Sequence, residues 1–282
     1  MKLPRGTKGA KMKKLVLAAV AVMASFVLQA GGAKGILIAE ESFNYENKAD
    51  LDGQNGGTGW AGPWFNSPLE KQRNKIKVPG LEFPGLKTSG GRLFETGKDN
   101  RSFRDIDTSR PEVAGLLETG DYKKPAFGKH GTTIWFSFIM KLAGGNAYSG
   151  LHLSDCVEPE KDSFGNKKHQ RIQLGRNNKD PHYSLLRVTN GGPGPGNWYS
   201  NTLVDETVRL VVCRFDFKDP ADEGWMWLDP KPGAEPEALK ADVHADKISH
   251  FMFNSINAGG NAKSEVDEIR IGTTYSSVAP GK

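Results

Sequence analysis

Along most of the chain, apolar and polar residues alternate with a period of two. In TVRLVVCRFDF (207–217) Val211, Cys213, Phe215 and Phe217 share one face, and HQRIQLGR (169–176) alternates Ile172 and Leu174 with Arg171 and Gln173. Side chains that repeat every second residue belong to strands. Similar short runs lie at 36–45, 90–97, 101–108, 148–155, 182–190, 223–230, 248–253 and 264–272. The stretch GTTIWFSFIMK (131–141) is apolar almost throughout from Ile134 to Met140, which predicts a strand covered on both faces, with Trp135 in the core. The breaks between runs hold Gly, Asn, Asp and Pro, the residues that supply turn dihedrals. GGPGPGN (191–197) and DPKPGAEPEA (229–238) can be neither helix nor central strand, because proline removes the ladder donor. Beyond the N-terminus, EALKADVH (237–244) predicts at most a short helical turn. About ten short strands without alternating helices predict an all-β, antiparallel two-sheet sandwich or a barrel.

The N-terminus breaks this pattern. Lys13 and Lys14 precede fourteen residues without a charge, Leu15 to Leu28, followed by Ala30, Gly31, Gly32 and Ala33. A basic start, an apolar run and small residues predict a secretory signal peptide over 1–33, too short for a comfortable membrane span. Met12 opens MKKLVLAAV, a more usual start for such a signal, which leaves residues 1–11 open to being an over-extended start. The expectation is one exported domain over 34–282, secreted, periplasmic or at the cell surface. No later apolar stretch approaches membrane length.

Composition changes the picture through charge. The chain has 38 Lys and Arg against 33 Asp and Glu, and six of those cations (Lys2, Arg5, Lys8, Lys11, Lys13, Lys14) fall in residues 1–33. The remainder holds 32 cations against 33 acids, so its charge makes no case for a nucleic-acid backbone as partner. The 34 glycines and 16 prolines fit turn-rich β structure rather than a coiled coil. Two cysteines, Cys156 and Cys213, permit one disulfide in an oxidising compartment; a buried thiol at Cys213 is the other reading.

Several of these segments together resemble a known family. ESFNY…LDGQNGGTGWAGPW (41–64), SGGRLFETG, FRDID, GTTIWFSFIM, AYSGLHLSD and SEVDEIRIGTTYSSVAP (264–280) are similar to exported bacterial proteins that carry a concanavalin A-like, laminin-G-like (LamG-like) jelly roll. The resemblance implies that 264–272 is a closing strand beside the N-terminal one. The fold hosts lectins, adhesive modules, glucanases and lyases alike, so it implies no single activity. Jelly-roll binding modules often hold a structural calcium between first and last strands. The matching acids are Glu41 and Asp267, with Asp50 or Asp52 as alternatives.

Catalytic patterns are weak. Jelly-roll glucanases place acids at alternate positions of one strand; here Glu265 and Asp267 share a face, but Ile269 follows. No nucleophile elbow occurs, and the six histidines show no zinc-ligand spacing. Carbohydrate binding is the sharper reading, because an aromatic ring covers the flat face of a sugar while amides and guanidinium groups meet its hydroxyls. The candidates are Trp198 and Tyr199, with Arg176 and Asn177, and Trp60 and Trp64 in the loop GWAGPW. For Trp60 and Trp64 the alternative is that they fold back and plug the end of the sandwich, which the resemblance favours. The expected function is therefore non-catalytic glycan recognition or adhesion. A glycoside hydrolase or polysaccharide lyase of the same fold, or a structural envelope protein without a small ligand, are the alternatives.

Overall fold

The alternating segments pair into two large antiparallel sheets. The computed structural model describes residues 35–66, 74–95, 100–119, 124–142, 148–155, 171–189, 192–260 and 263–281. Residues 34–282 form one compact unit. The eight-stranded sheet runs β15 (Val243–Ile248), β14 (Asp222–Leu228), β13 (Arg209–Asp216), β8 (Thr133–Leu142), β17 (Ser264–Gly272), β4 (Arg92–Glu95) and β3 (Lys75–Lys77), with β1 (Leu37–Glu41) also paired to β17. The seven-stranded sheet runs β12 (Gly192–Leu203), β11 (His182–Thr189), β10 (Arg171–Arg176), β9 (Ser149–Ser154), β16 (Ser255–Gly260), β5 (Asn100–Asp105) and β2 (Phe65–Asn66). A small ribbon joins β6 (Leu117–Thr119) to β7 (Pro125–Phe127). This is a concanavalin A-like jelly roll. No helix among the described residues is long and apolar enough to cross a membrane.

Alternation decides what lies between the sheets. Phe136, Phe138 and Met140 of β8, Val211, Cys213 and Phe215 of β13, Leu151 and Leu153 of β9, and Ile172 and Leu174 of β10 meet in one core. The other face of β8 is also covered. Trp135 and Ile139 join Trp225, Trp227, Leu210 and Val212 in a second apolar cluster. Its lid includes Tyr275 and Val278 of α1 (Tyr275–Val278), a single turn held by a capping box between Thr274 and Ser277. Trp135 is thus buried, but on the outer side of its sheet rather than in the space between sheets. Cys213 is a free, fully buried thiol among core side chains. Cys156, the partner a disulfide would need, lies outside the described residues, as does the expected signal segment.

The closing strand is where the resemblance places it. The β17 segment pairs β4 through Ser264–Val266 and β1 through Ile269–Gly272. The change of partner falls at a register shift between Asp267 and Arg270, and Glu268 there has a φ of 50°. Residues 192–197 lie in β12, an edge strand, which tolerates missing N–H donors, so the exclusion of helix and central strand holds. The helical turn expected within 237–244 is a 3-10 turn at Ala238–Lys240, followed by β15; of the expected strand 248–253, residues 249–252 are not strand. SINAGG (255–260), which carries no strand signal, forms β16 in the middle of a sheet.

Candidate functional site

The loop tryptophans do plug the sandwich. Trp64 is completely buried and stacks on Phe43 with ring centroids 6.0 Å apart. Its indole N–H donates to Glu41 Oε2 at 3.0 Å, while Trp60 donates to the Glu40 carbonyl at 2.8 Å. Arg104 forms an ion pair with Glu41, both 1% exposed, and its guanidinium lies 4.9 Å from the Trp60 ring centroid. The rest of the guanidinium holds the glycine-rich loop, donating to the Gly62 and Gly56 carbonyls at 3.0 and 2.7 Å. Tyr45 donates to Glu41 Oε2 at 2.7 Å, and the Phe43 amide donates to Oε1 at 2.8 Å. Burial and the neighbouring Glu41 push the Tyr45 hydroxyl up, and burial pulls Arg104 down. Trp64 is thus sealed inside, and Trp60 is half-buried with its indole N–H committed to backbone.

The same bonds bear on the expected calcium. Glu41 already accepts from four protein groups, one a guanidinium that would repel a cation. Asp267 accepts from the Leu81 and Glu268 amides at 2.7 and 2.8 Å, and burial pushes its carboxyl up to about 8. Asp50 pairs with Lys75, and Asp52 accepts from the Asn66 amide at 2.9 Å. These acids do not form an oxygen cage among the described residues.

Trp198 and Tyr199 lie on opposite faces of β12. Trp198 is paired with Leu185 and leans on the inter-sheet core. Tyr199 is paired with Ser184 on the outward face, and its hydroxyl accepts from Asn177 Nδ2 at 2.7 Å. Asn177 Oδ1 meanwhile accepts from the Lys179 and Asp180 amides, which fixes the amide's orientation. Of the expected set, Tyr199 and Asn177 are brought together and Trp198 is turned away. Arg176 is 4% exposed, and its Nε has no partner.

Tyr199 and Asn177 mark one margin of a polar face that the sequence does not reveal. Since Ile172, Leu174, Leu151, Leu153, Ile256 and Ala258 face the core, their neighbours must face outward. Cross-strand pairing sets these in rows. One row runs Asn197, Leu186, Gln173, His152, Asn257, Phe103 and Phe65 across all seven strands. The next holds Tyr199, Ser184, Gly175 and Gly150, with Arg101 and Gly259 paired farther along. Gly150 and Gly175 face each other at φ values of 148° and 142°, and a Cβ on Gly150 would lie 2.1 Å from the Leu174 carbonyl oxygen. The middle of the face is therefore buried glycine backbone beside a ridge of Gln173, His152 and Asn257. With strands about 4.8 Å apart, that ridge spans about 10 Å.

The ridge is polar and deep. His152 and Gln173 are each 1% exposed, and Asn257 is fully buried. Gln173 donates to the Arg176 carbonyl at 2.8 Å, and His152 meets the Tyr148 hydroxyl. Asn257 has neither its Oδ1 nor its Nδ2 hydrogen-bonded. At the far end Phe65 and Phe103 stack at 5.6 Å, their rings 8° from parallel. Among the described residues of these rows there is no carboxylate; Asp105, whose pKa burial raises, sits one position beyond Phe103's row beside Ser255. The two facing carboxylates of a glycosidase are not assembled there.

No family model matches the chain, and no curated protein matches it. Solved structures with similar folds include the globular domain of T. cruzi calreticulin, at 13% identity over 85% of this chain and 89% of that one, with a TM-score of 0.49. The binding domain of botulinum neurotoxin DC, solved in complex with rat synaptotagmin II, is 10% identical with a TM-score of 0.43; the match covers 84% of this chain and about half, 47%, of that one. The cellulose induced protein Cip1 is 13% identical over 75% of this chain and 91% of its own, with a TM-score of 0.39.

Proposed function

We propose that the chain is an exported carbohydrate-binding β-sandwich, and that a glycan lies along the outward face of the seven-stranded sheet. The Asn257 amide carries this reading. A buried amide with both ends unpaired costs about 1–3 kcal/mol, and such a group is retained where a ligand supplies its partners. Vicinal sugar hydroxyls each donate and accept, which matches the carbonyl and NH2 of one amide. Gln173 and His152 extend the polar strip to the length of a disaccharide. At the margin, half-buried Phe65, stacked on the buried Phe103, gives an apolar surface for C–H faces. The ligand would enter from the margins, where Asn197 is exposed and Phe65 and Tyr199 are half-buried. Export rests on the basic and apolar segment before residue 34.

The test is a glycan array followed by titration, comparing the parent with Asn257→Ala. The variant should bind its best glycan at least about tenfold more weakly, with a melting temperature equal to or above the parent's, since an unpaired amide has been removed. A parent that binds no glycan, or a variant that binds as well, overturns the proposal.

A further inference from the structure

Three segments far apart in sequence bring two histidines and an aspartate to one point. His130 precedes β8, Asp222 opens β14, and His250 follows β15. His130 Nε2 stands 3.2 Å from His250 Nδ1, and that same Nδ1 stands 3.1 Å from Asp222 Oδ2. One ligand atom from each residue falls within a 4.8 Å span. Four ligands about 2.05 Å from a tetrahedral zinc ion stand about 3.3 Å from one another, which the 3.1 and 3.2 Å separations approach.

A protein-only network leaves the cluster unsatisfied. His250 Nδ1 has either one proton or one lone pair, yet it faces two groups. Protonated, it donates to Asp222 and meets His130 Nε2 with the same hydrogen. Unprotonated, it accepts from His130 and turns a lone pair on the carboxylate. A cation between the three atoms satisfies all of them at once.

The surroundings are arranged as a metal's outer shell would be. The far nitrogen of each imidazole meets a carboxylate: His250 Nε2 lies 3.3 Å from Glu118 Oε1, and His130 Nδ1 lies 3.3 Å from Asp219 Oδ2. Such partners fix the tautomer and raise the basicity of the ligating nitrogen. Asp222 is fully buried, and its oxygens accept from the Lys218 and Phe251 amides at 3.1 Å each, which aims the carboxylate. The histidine side chains are 40% and 29% exposed, so the remaining coordination position faces solvent.

We propose that His130, Asp222 and His250 bind a divalent transition ion of the zinc type, clamping the turn before β8 to the ends of β14 and β15. Two imidazoles favour zinc over calcium or magnesium, which take oxygen ligands. The site is separate from the glycan face and does not depend on it.

The tag-free chain, stripped with chelator, is titrated with zinc chloride and with calcium chloride by calorimetry. One zinc ion per chain is expected, together with a higher melting temperature in zinc and no response to calcium. His130→Gln and His250→Gln should each weaken zinc binding by more than about tenfold, and Glu118→Gln by about tenfold. His244→Ala, at an exposed histidine outside the cluster, should bind as the parent does. Melting curves without metal verify that each variant folds. No zinc uptake by the stripped parent, equal uptake of calcium, or unchanged affinity in both histidine variants overturns the proposal.

Discussion

Two buried side chains show how differently a polar group can be treated inside this sandwich. Glu41 is surrounded by donors and is committed to structure, while Asn257 is buried with none. Breaking a buried ion pair leaves an uncompensated charge, so Glu41→Gln should cost about 3–5 kcal/mol, because Arg104 stays buried without its counter-charge. Urea unfolding measures this directly, and a loss below about 1 kcal/mol would show that the pair contributes little. The contrast also explains what could be read at this scale. The aromatic residues of GWAGPW are conspicuous in sequence, and the resemblance already favoured their role as a plug. Asn257 sits in SINAGG, where nothing marks it, because an amide's significance depends on which partners are absent. His130, Asp222 and His250 have no motif spacing either; His130 and His250 are 120 positions apart and meet only through the fold.

At the scale of elements, period-two alternation identified β10 and β13, and an unbroken apolar run identified β8, whose two faces are both covered. Alternation failed for β16, where only Ile256 and Ala258 face inward and the outward residues are Ser, Asn and Gly. Pairing with β9 and β5, not intrinsic preference, makes that segment a strand. The same pairing explains the buried glycines. Gly150 and Gly175 occupy opposed positions on β9 and β10 at positive φ, with no room for a methyl group. Gly150→Ala should therefore destabilise by more than about 2 kcal/mol, through strain and collision with the Leu174 carbonyl. Differential scanning calorimetry would register the loss, and an unchanged melting temperature would mean the two strands can part there without cost. Trp198 shows the limit of reading loops as binding surfaces. Its segment holds prolines and glycines yet forms an edge strand, and that strand's pleat turns the indole toward the core and Tyr199 outward.

For the molecule as a whole, the two sheets share a titratable group. Glu95 on β4 faces inward with Leu93 and accepts from Ser149 on β9 at 2.8 Å and from Ser264 on β17, so one carboxyl bridges both layers. Complete burial pushes its pKa up to about 7, against 4.5 for the free side chain, with the two serine hydroxyls opposing the shift. Between those values the folded chain keeps a proton that the unfolded chain releases. Stability is therefore fully present below about pH 4.5 and declines as pH rises to about 7, by an amount of the order of 3 kcal/mol at about 1.4 kcal/mol per pH unit. Asp267, raised to about 8 by burial, pulls in the same direction. The melting temperature should accordingly be higher at pH 5 than at pH 8. Glu95→Gln keeps an acceptor for the serines and cannot ionise, so its stability should fall less over that interval, leaving the slope due to Asp267. Parallel melting curves for parent and variant between pH 5 and pH 8 would show instead that Glu95 is ionised in the fold, and that the inter-sheet space is wetter than its burial implies.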